Sequence, residues 1–332
     1  MKVRKSRTFF VLGIDAFAFG LFCAFFVYKI CVLVRFFYME FDLPHIRENV
    51  PLKNFTTWKI GGSARFFIEA KSAEVPKILS WANSKGIKTH ILGAGSNVLI
   101  KDSGVDGLVV RLKDDVSSVK ISEETVSAGA GVRLAQFVDC LAKNGVSGFE
   151  FLAGIPGTIG GSVFMNAGVG GSDRREISDV FIGAQLCSRK GERFWVGPDF
   201  MEFSHRKSAL QSSENVLIFA SFKIEKKSCP DEILKKTREN IEARLKREPK
   251  NRRNAGSVFK ACGGVPAGFL IDKAGLKGCR IGDAQISGVH ANWIENLGCA
   301  TSSDVEALIN LAKEKVFEKF GARLEEEVRF LG

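Results

Sequence analysis

Apolar positions along this chain fall into three regimes. From residue 9 to residue 34 they run almost unbroken, with Asp15 and Lys29 as the only charges, a length sufficient to cross a bilayer as a helix. From about residue 50 they come in bursts of strand length separated by glycines, and stretches of helical period lie between them. Residues 89–92, 98–100, 105–112, 119–128, 177–187, 193–196 and 216–224 read as strands, the last three as parts of an antiparallel sheet, and residues 54–67 read as two strand-like runs broken by Gly61 and Gly62. Ser72 is placed to cap a helix reaching residue 84 with Ile78, Leu79 and Ala82 on one face. Residues 132–144 form a second helix, with Leu134, Phe137, Val138 and Leu141 aligned. Beyond residue 230 a charged helix, 231–247, precedes a short strand at 256–260 and a short helix at 268–274. A longer helix, 303–320, turns Val305, Leu308, Ile309, Ala312, Val316 and Phe317 inward, and residues 324–330 close the chain as a strand.

One stretch stands apart. Residues 154–171 contain seven glycines among eighteen positions, a density that costs backbone entropy and suits close approach of backbone to a ligand. Consecutive N–H groups in such a loop form an anion cradle; Pro156 stiffens it, and Thr158 and Ser162 add hydroxyls. Ile155, Ile159, Val163 and Met165 are too apolar for a solvated linker. A second candidate cradle is Leu92-Gly93-Ala94-Gly95-Ser96-Asn97, which joins two predicted strands. It lacks the third glycine and the following helix of a dinucleotide-binding fingerprint, so it reads as a strand-turn-strand loop.

Charge changes the picture only slightly. The net charge of +11 suggests nucleic acid until it is divided: residues 1–39 hold six Lys or Arg against Asp15, leaving +6 for the body. The basic run at 246–253 stands out but carries no aromatic, so a small anionic substrate explains the charge and no nucleic-acid partner is expected. The eight cysteines form no Cys-x-x-Cys pair and the four histidines are scattered, so no metal is expected and the thiols read as reduced and mostly buried.

Taken together, the motifs of residues 50–332 resemble one family. They are Asn54-Phe-Thr-Thr-Trp-Lys-Ile-Gly-Gly62, Leu92–Asn97, Gly154-Ile-Pro-Gly-Thr-Ile-Gly-Gly161 with Met165-Asn-Ala-Gly168, Arg206-Lys-Ser208, Ala255-Gly-Ser-Val-Phe-Lys260, Ala274-Gly-Leu-Lys-Gly278 with Arg280-Ile-Gly282, His290-Ala-Asn292 and Glu327-Val-Arg-Phe330. In this order they are similar to the UDP-N-acetylenolpyruvoylglucosamine reductases, in the shorter variety without a tyrosine-bearing loop insertion.

The resemblance implies an α+β fold: an FAD-binding domain of the vanillyl-alcohol-oxidase type in two α/β subdomains, residues 50–128 and 129–226, and a substrate domain at 231–332. It implies NADPH-dependent reduction of UDP-N-acetylglucosamine enolpyruvate to UDP-N-acetylmuramate for peptidoglycan. FAD would lie between Leu92, Gly93, Ala94, Gly95, Ser96 and Asn97 on one side and Gly154, Ile155, Pro156, Gly157, Thr158, Gly160 and Gly161 on the other. Neither loop carries a histidine, so noncovalent FAD is expected. Hydride from flavin N5 would reach the enol ether, Arg206 and Glu327 would hold the developing charge, and Ser257 would supply the proton. Asn166, Lys246 and Lys260 are expected at the substrate. Taken alone, Arg206, Ser257 and Glu327 are ordinary surface residues; the motif context singles them out, and Glu325 and Glu326 compete with Glu327 for the inward place.

The chain departs from the family in three places. His205 stands where a tyrosine is usual before the arginine, Ala261-Cys262 replaces Asn-Pro, and residues 168–177 are lengthened. These keep two rivals open: another flavin oxidoreductase of this fold, and a membrane-tethered nucleotide-binding homologue without turnover. For residues 1–38 two readings stand side by side. One is a signal anchor, whose heavier positive flank would export the body; the other is upstream sequence, with Met39 as the start of a cytoplasmic, monomeric enzyme.

Overall fold

The computed structural model describes residues 46–170 and 174–332. The apolar segment 1–38, with both readings attached to it, lies outside the described residues. Among those described, no helix is long and apolar enough to cross a membrane.

A largely apolar run in the sequence becomes the centre of the first sheet. Val105–Leu112 is buried along nearly its whole length because it pairs in parallel with Ser63–Ala70 on one side and Thr89–Leu92 on the other. Arg47–Pro51 adds an antiparallel edge. The second sheet is antiparallel throughout, in the order Arg193–Val196, Phe181–Cys187, Val216–Lys223, Thr125–Gly129, Val119–Ile121. Residues 119–128 are therefore a hairpin, closed where Ser122 N–H donates to Thr125 O, and not one strand. Both of its arms belong to the second sheet. Helix Leu134–Lys143 buries the four residues expected of it. Its Phe137 ring meets Phe149 edge-on with centroids 5.6 Å apart and Phe222 of the second sheet at 5.8 Å, a geometry favoured by ring quadrupoles.

The C-terminal layer holds helices Ala267–Lys273 and Ser302–Phe320 and the strands Arg280–Ile281, Ala284–Ile286 and Ile294–Asn296. Its core is completed from far away. Trp58, Ile60 and Leu99 pack among Val258, Phe259, Ile294, Leu308 and Val328. The fully buried Trp58 donates from Nε1 to Ile294 O at 2.7 Å and accepts at its own carbonyl from Asn296 Nδ2 at 2.9 Å. This insertion explains why residues 54–60 do not form the expected strand. A 3-10 turn, Leu52–Phe55, leads into irregular backbone, with Lys59 at φ 60°, that aims Trp58 and Ile60 into a neighbouring core.

Smaller expectations are also corrected. Ser72 lies in a 3-10 turn and its hydroxyl bonds Asp114, so the helix proper is Val75–Ser84 and Ser72 is not its cap. Phe317 falls outside the stripe through Val305, Leu308, Ala312 and Val316; it is 49% exposed, with the Arg323 guanidinium over its ring. Residues 256–260 and 324–328 meet through a single bridge, Phe259 to Glu326, in place of two strands. All six described cysteines are free, but only Cys187 is buried, while Cys229 and Cys299 are exposed.

The first sheet and the C-terminal layer are joined by two further contacts. The last strand, Arg329–Leu331, pairs in parallel with Val98–Ile100. Just beyond the latter, the Asp102 carboxylate accepts the N–H groups of Ser302 and Ser303 at the start of the long helix, at 2.9 and 3.2 Å. Burial pushes the Asp102 carboxyl up, but these hydrogen bonds outweigh it and hold the group below the usual range. Asp102→Ala is expected to cost about 1 kcal/mol of unfolding free energy at neutral pH, as for lost helix caps. Because the folded-state value is lowered, that contribution exists above the unfolded value and disappears as pH falls through the folded one. Urea titrations of both proteins at neutral and acid pH should show the gap closing in acid; an unchanged gap would contradict the assignment.

Candidate active site

A cavity of about 600 Å³ runs between these elements and is lined by both glycine loops together with Arg206, Ser257 and Glu327. The loops interlock. Ser96 Oγ donates to Pro156 O at 2.6 Å, and a Cβ on Gly93 would come within 2.7 Å of Thr158 Oγ1, so only glycine lets the two strands of backbone approach this closely. Gly95 has φ +66°, and a Cβ there would lie 2.1 Å from Phe55 O. Among the described residues the N–H groups of Ala94, Gly95, Ser96, Gly157 and Thr158 find no acceptor. Donors left free beside a cavity fit an anionic ligand such as a pyrophosphate.

The three expected catalytic side chains reach this cavity by different routes. Glu327 N–H donates to Val258 O at 2.8 Å, so the segment bearing Glu327 runs beside the one bearing Ser257. Asn292 fixes the latter by gripping both backbone groups of Phe259, at 2.9 and 2.8 Å, while its own carbonyl accepts Val258 N–H. Asn97 Nδ2 donates to Glu327 O at 3.1 Å and Arg329 N–H donates to Asn97 O at 3.0 Å, which ties the first glycine loop to the same segment. Arg206 comes from the opposite side. Its Nε lies 3.2 Å from Glu327 Oε1, and Nη1 and Nη2 donate to Asn166 O and Gly168 O at 3.3 and 3.1 Å. Its backbone is left-handed, φ 57°, a strained state for a non-glycine residue that the surrounding bonds must hold.

Three consecutive glutamates are separated by their partners. Glu325 pairs with Lys260 and Glu326 with Lys313, while Glu327 turns to Arg206. Burial pushes the Glu327 carboxyl above the usual carboxylate range, although the positive charges of Arg206, His205 and Lys260 pull the other way.

Other expected residues are elsewhere. Gly154 is exposed at φ +77° and faces Arg244 and Ile241 of helix Pro230–Leu245, leaving the cavity to Ile155 and its successors. Ser162 spends its hydroxyl proton on Ile159 O. Asn166 is buried with its amide bonded to Glu176, Ser204 and Ser178, so its carbonyl alone serves Arg206. Lys246 is exposed beyond the helix end, and Lys260 is engaged by Glu325. In their place the cavity is lined by Arg244, Trp293 and Arg329. Period 2 along Glu327-Val328-Arg329 would have found the last of these. Arg244 lies two positions from the lysine expected there, on another side of the helix. No group of three or more His, Cys, Asp or Glu suited to a metal occurs among the described residues.

The family model for an FAD binding domain matches residues 64–197, across both sheets, and the model for the C-terminal domain of UDP-N-acetylenolpyruvoylglucosamine reductase matches 248–331. The reductase of Synechococcus sp. (strain JA-3-3Ab) is 39% identical over 288 residues, 86% of this chain and 91% of that protein. The chain belongs to the UDP-N-acetylenolpyruvoylglucosamine reductase family. The family's reductase from Caldicellulosiruptor saccharolyticus is 40% identical over 86% of the chain and 91% of its own length. The crystal structure of the Thermus caldophilus reductase, 35% identical, covers 87% of this chain and all of its own, with a TM-score of 0.71. The α+β fold expected from the reductase family is the one observed.

Since Arg206 opposes the effect of burial on Glu327, Arg206→Ala should move the titration of that carboxyl further upward. Carbon-13 NMR of labelled glutamate side chains, assigned through Glu327→Gln, measures it. A Glu327 that titrated at or below ordinary carboxylates, or moved down on loss of Arg206, would refute the electrostatic account.

Proposed function

We propose that this chain is an FAD-dependent reductase that converts UDP-N-acetylglucosamine enolpyruvate to UDP-N-acetylmuramate with NADPH as reductant. The observation that carries the proposal is the convergence of Arg206, Ser257 and Glu327 on the one cavity that both glycine loops line. Ala94, Gly95, Ser96, Gly157 and Thr158 supply free N–H donors for the cofactor's pyrophosphate, and Arg329 and Arg244 add positive charge along the same cavity. Neither loop holds a histidine, so attachment is noncovalent.

Bound FAD supplies the hydride, taken from NADPH, that reduces the enolpyruvyl group. The rest belongs to the protein. Charge building on the substrate carboxylate is met by the Arg206 guanidinium, already fixed by two carbonyls and needing little reorganisation. Glu327, whose carboxyl burial shifts upward, faces the developing enolate and helps to bind it. Ser257 delivers the proton to the neighbouring carbon. Lys260, engaged by Glu325, is not assigned to assist it.

With the full chain in detergent, NADPH should be consumed only when the enolpyruvyl substrate is added. A yellow protein that consumed NADPH without regard to substrate, or not at all, would favour another flavin oxidoreductase or a non-catalytic homologue. Ser257→Ala should leave flavin reduction by NADPH within about threefold of wild type and slow reoxidation by substrate about 10²- to 10⁴-fold, the usual range for a positioned proton donor. Equal slowing of both half-reactions, in rapid mixing, would remove Ser257 from that role.

A further inference from the structure

We propose that Glu176 is the positioning residue that sets Arg206 against Glu327, a role that rests on the catalytic reading of Arg206 above. Glu176 attracts no attention in the sequence, but it contacts both residues whose carbonyls receive the guanidinium. Strand Arg175–Glu176 pairs with Gly168–Val169, placing the Glu176 backbone opposite Gly168, whose carbonyl takes Arg206 Nη2. Its side chain takes hold of the other residue, Asn166, through the side-chain amide. Glu176 Oε2 accepts from Asn166 Nδ2 at 3.2 Å, and Asn166 O takes Arg206 Nη1.

The same carboxylate reaches the loop that bears the arginine. Oε1 lies 2.9 Å from His205 Nδ1 and 3.7 Å from Arg206 Nη1, and Oε2 also meets Arg174 Nη2 at 3.2 Å. Glu176 is 7% exposed, so its charge is stabilised by these donors and not by water. Asn166 and Arg206 both occupy left-handed backbone, φ 42° and 57°, conformations that persist only where neighbouring bonds over-determine them. One buried carboxylate bonds to the first and to the residue before the second.

Glu176→Gln preserves the shape but supplies one acceptor and one donor group where the surroundings present donors. The guanidinium then loses its fixed seat. Reoxidation of reduced flavin by substrate should slow about 10- to 100-fold, the cost of a displacement near 1 Å in a catalytic group, while flavin reduction by NADPH stays within about threefold. The titration of Glu327 provides a readout independent of turnover, and its sign decides. If Glu176 acts only as a neighbouring negative charge, removing it lowers the Glu327 titration; if Arg206 drifts away, the titration rises.

A rise in carbon-13 NMR together with selective slowing supports the role. A fall, no movement, unchanged rates or equal slowing of both half-reactions overturns it. Should Glu176→Gln fail to retain FAD, the same two readouts on Glu176→Asp decide, because the charge is kept and the reach is shortened. A wild-type protein without substrate-dependent NADPH consumption would instead remove the proposed function, and leave the titration experiment to judge the Glu176 contact by itself.

Discussion

The parallel pairing of Arg329–Leu331 with Val98–Ile100 is the constraint on which the site depends. It is a three-residue ladder, too short to be stable alone, and its register is reinforced at each end. Arg329 N–H meets Asn97 O, and Lys101 N–H meets Leu331 O at 2.9 Å. Through this pairing Glu327 and Arg329 arrive beside a glycine loop more than two hundred residues earlier in the chain. Trp58 and Asp102 lock the same two regions from other directions, one by burial and a hydrogen bond, the other at a helix start. The loop-closure entropy of such a long connection grows only slowly with length, so a few well-placed contacts can hold it.

Within that frame the electrostatics are set by opposition. Taking Glu327 out of water favours its neutral form, and Arg206 at 3.2 Å favours the charged one; burial prevails in direction but is moderated. The guanidinium is itself shared among Glu327, the Glu176 carboxylate at 3.7 Å and two backbone carbonyls, which together hold it in place. In the proposed function, where Arg206 meets the substrate carboxylate, such fixing reduces the reorganisation the reaction requires.

Much of this was legible in the amino-acid sequence, and the failures have identifiable causes. The glycine loops announced themselves because close backbone approach leaves glycine little competition, as at Gly93 and Gly95. Val105–Leu112 emerged with its observed bounds because its apolar centre, Leu108-Val109-Val110, is buried on both faces. Residues 54–60 misled because Trp58 and Ile60 are apolar for the sake of a core to which their own sheet does not belong. Lys246 was expected where Arg244 stands because charge alone does not say which side of a polar helix faces inward. Asn166 was expected at the substrate, but its side-chain amide is occupied by Glu176, Ser204 and Ser178, and only its backbone carbonyl meets Arg206. Glu176 itself could not be seen, since its significance lies in partners brought to it by folding.

The hydrogen bond from Ser96 to Pro156, with Gly93 pressed against Thr158, has a consequence for modularity. The stretch matching an FAD binding domain, residues 64–197, contains both halves of that clasp, yet Trp58, Glu327 and the closing strand all lie outside it. Excised, such a cassette would lack Val216–Lys223 from the middle of its second sheet as well as the wall that gives the grip a chemical purpose. Exchange of parts with other flavoproteins therefore has to involve nearly the whole chain.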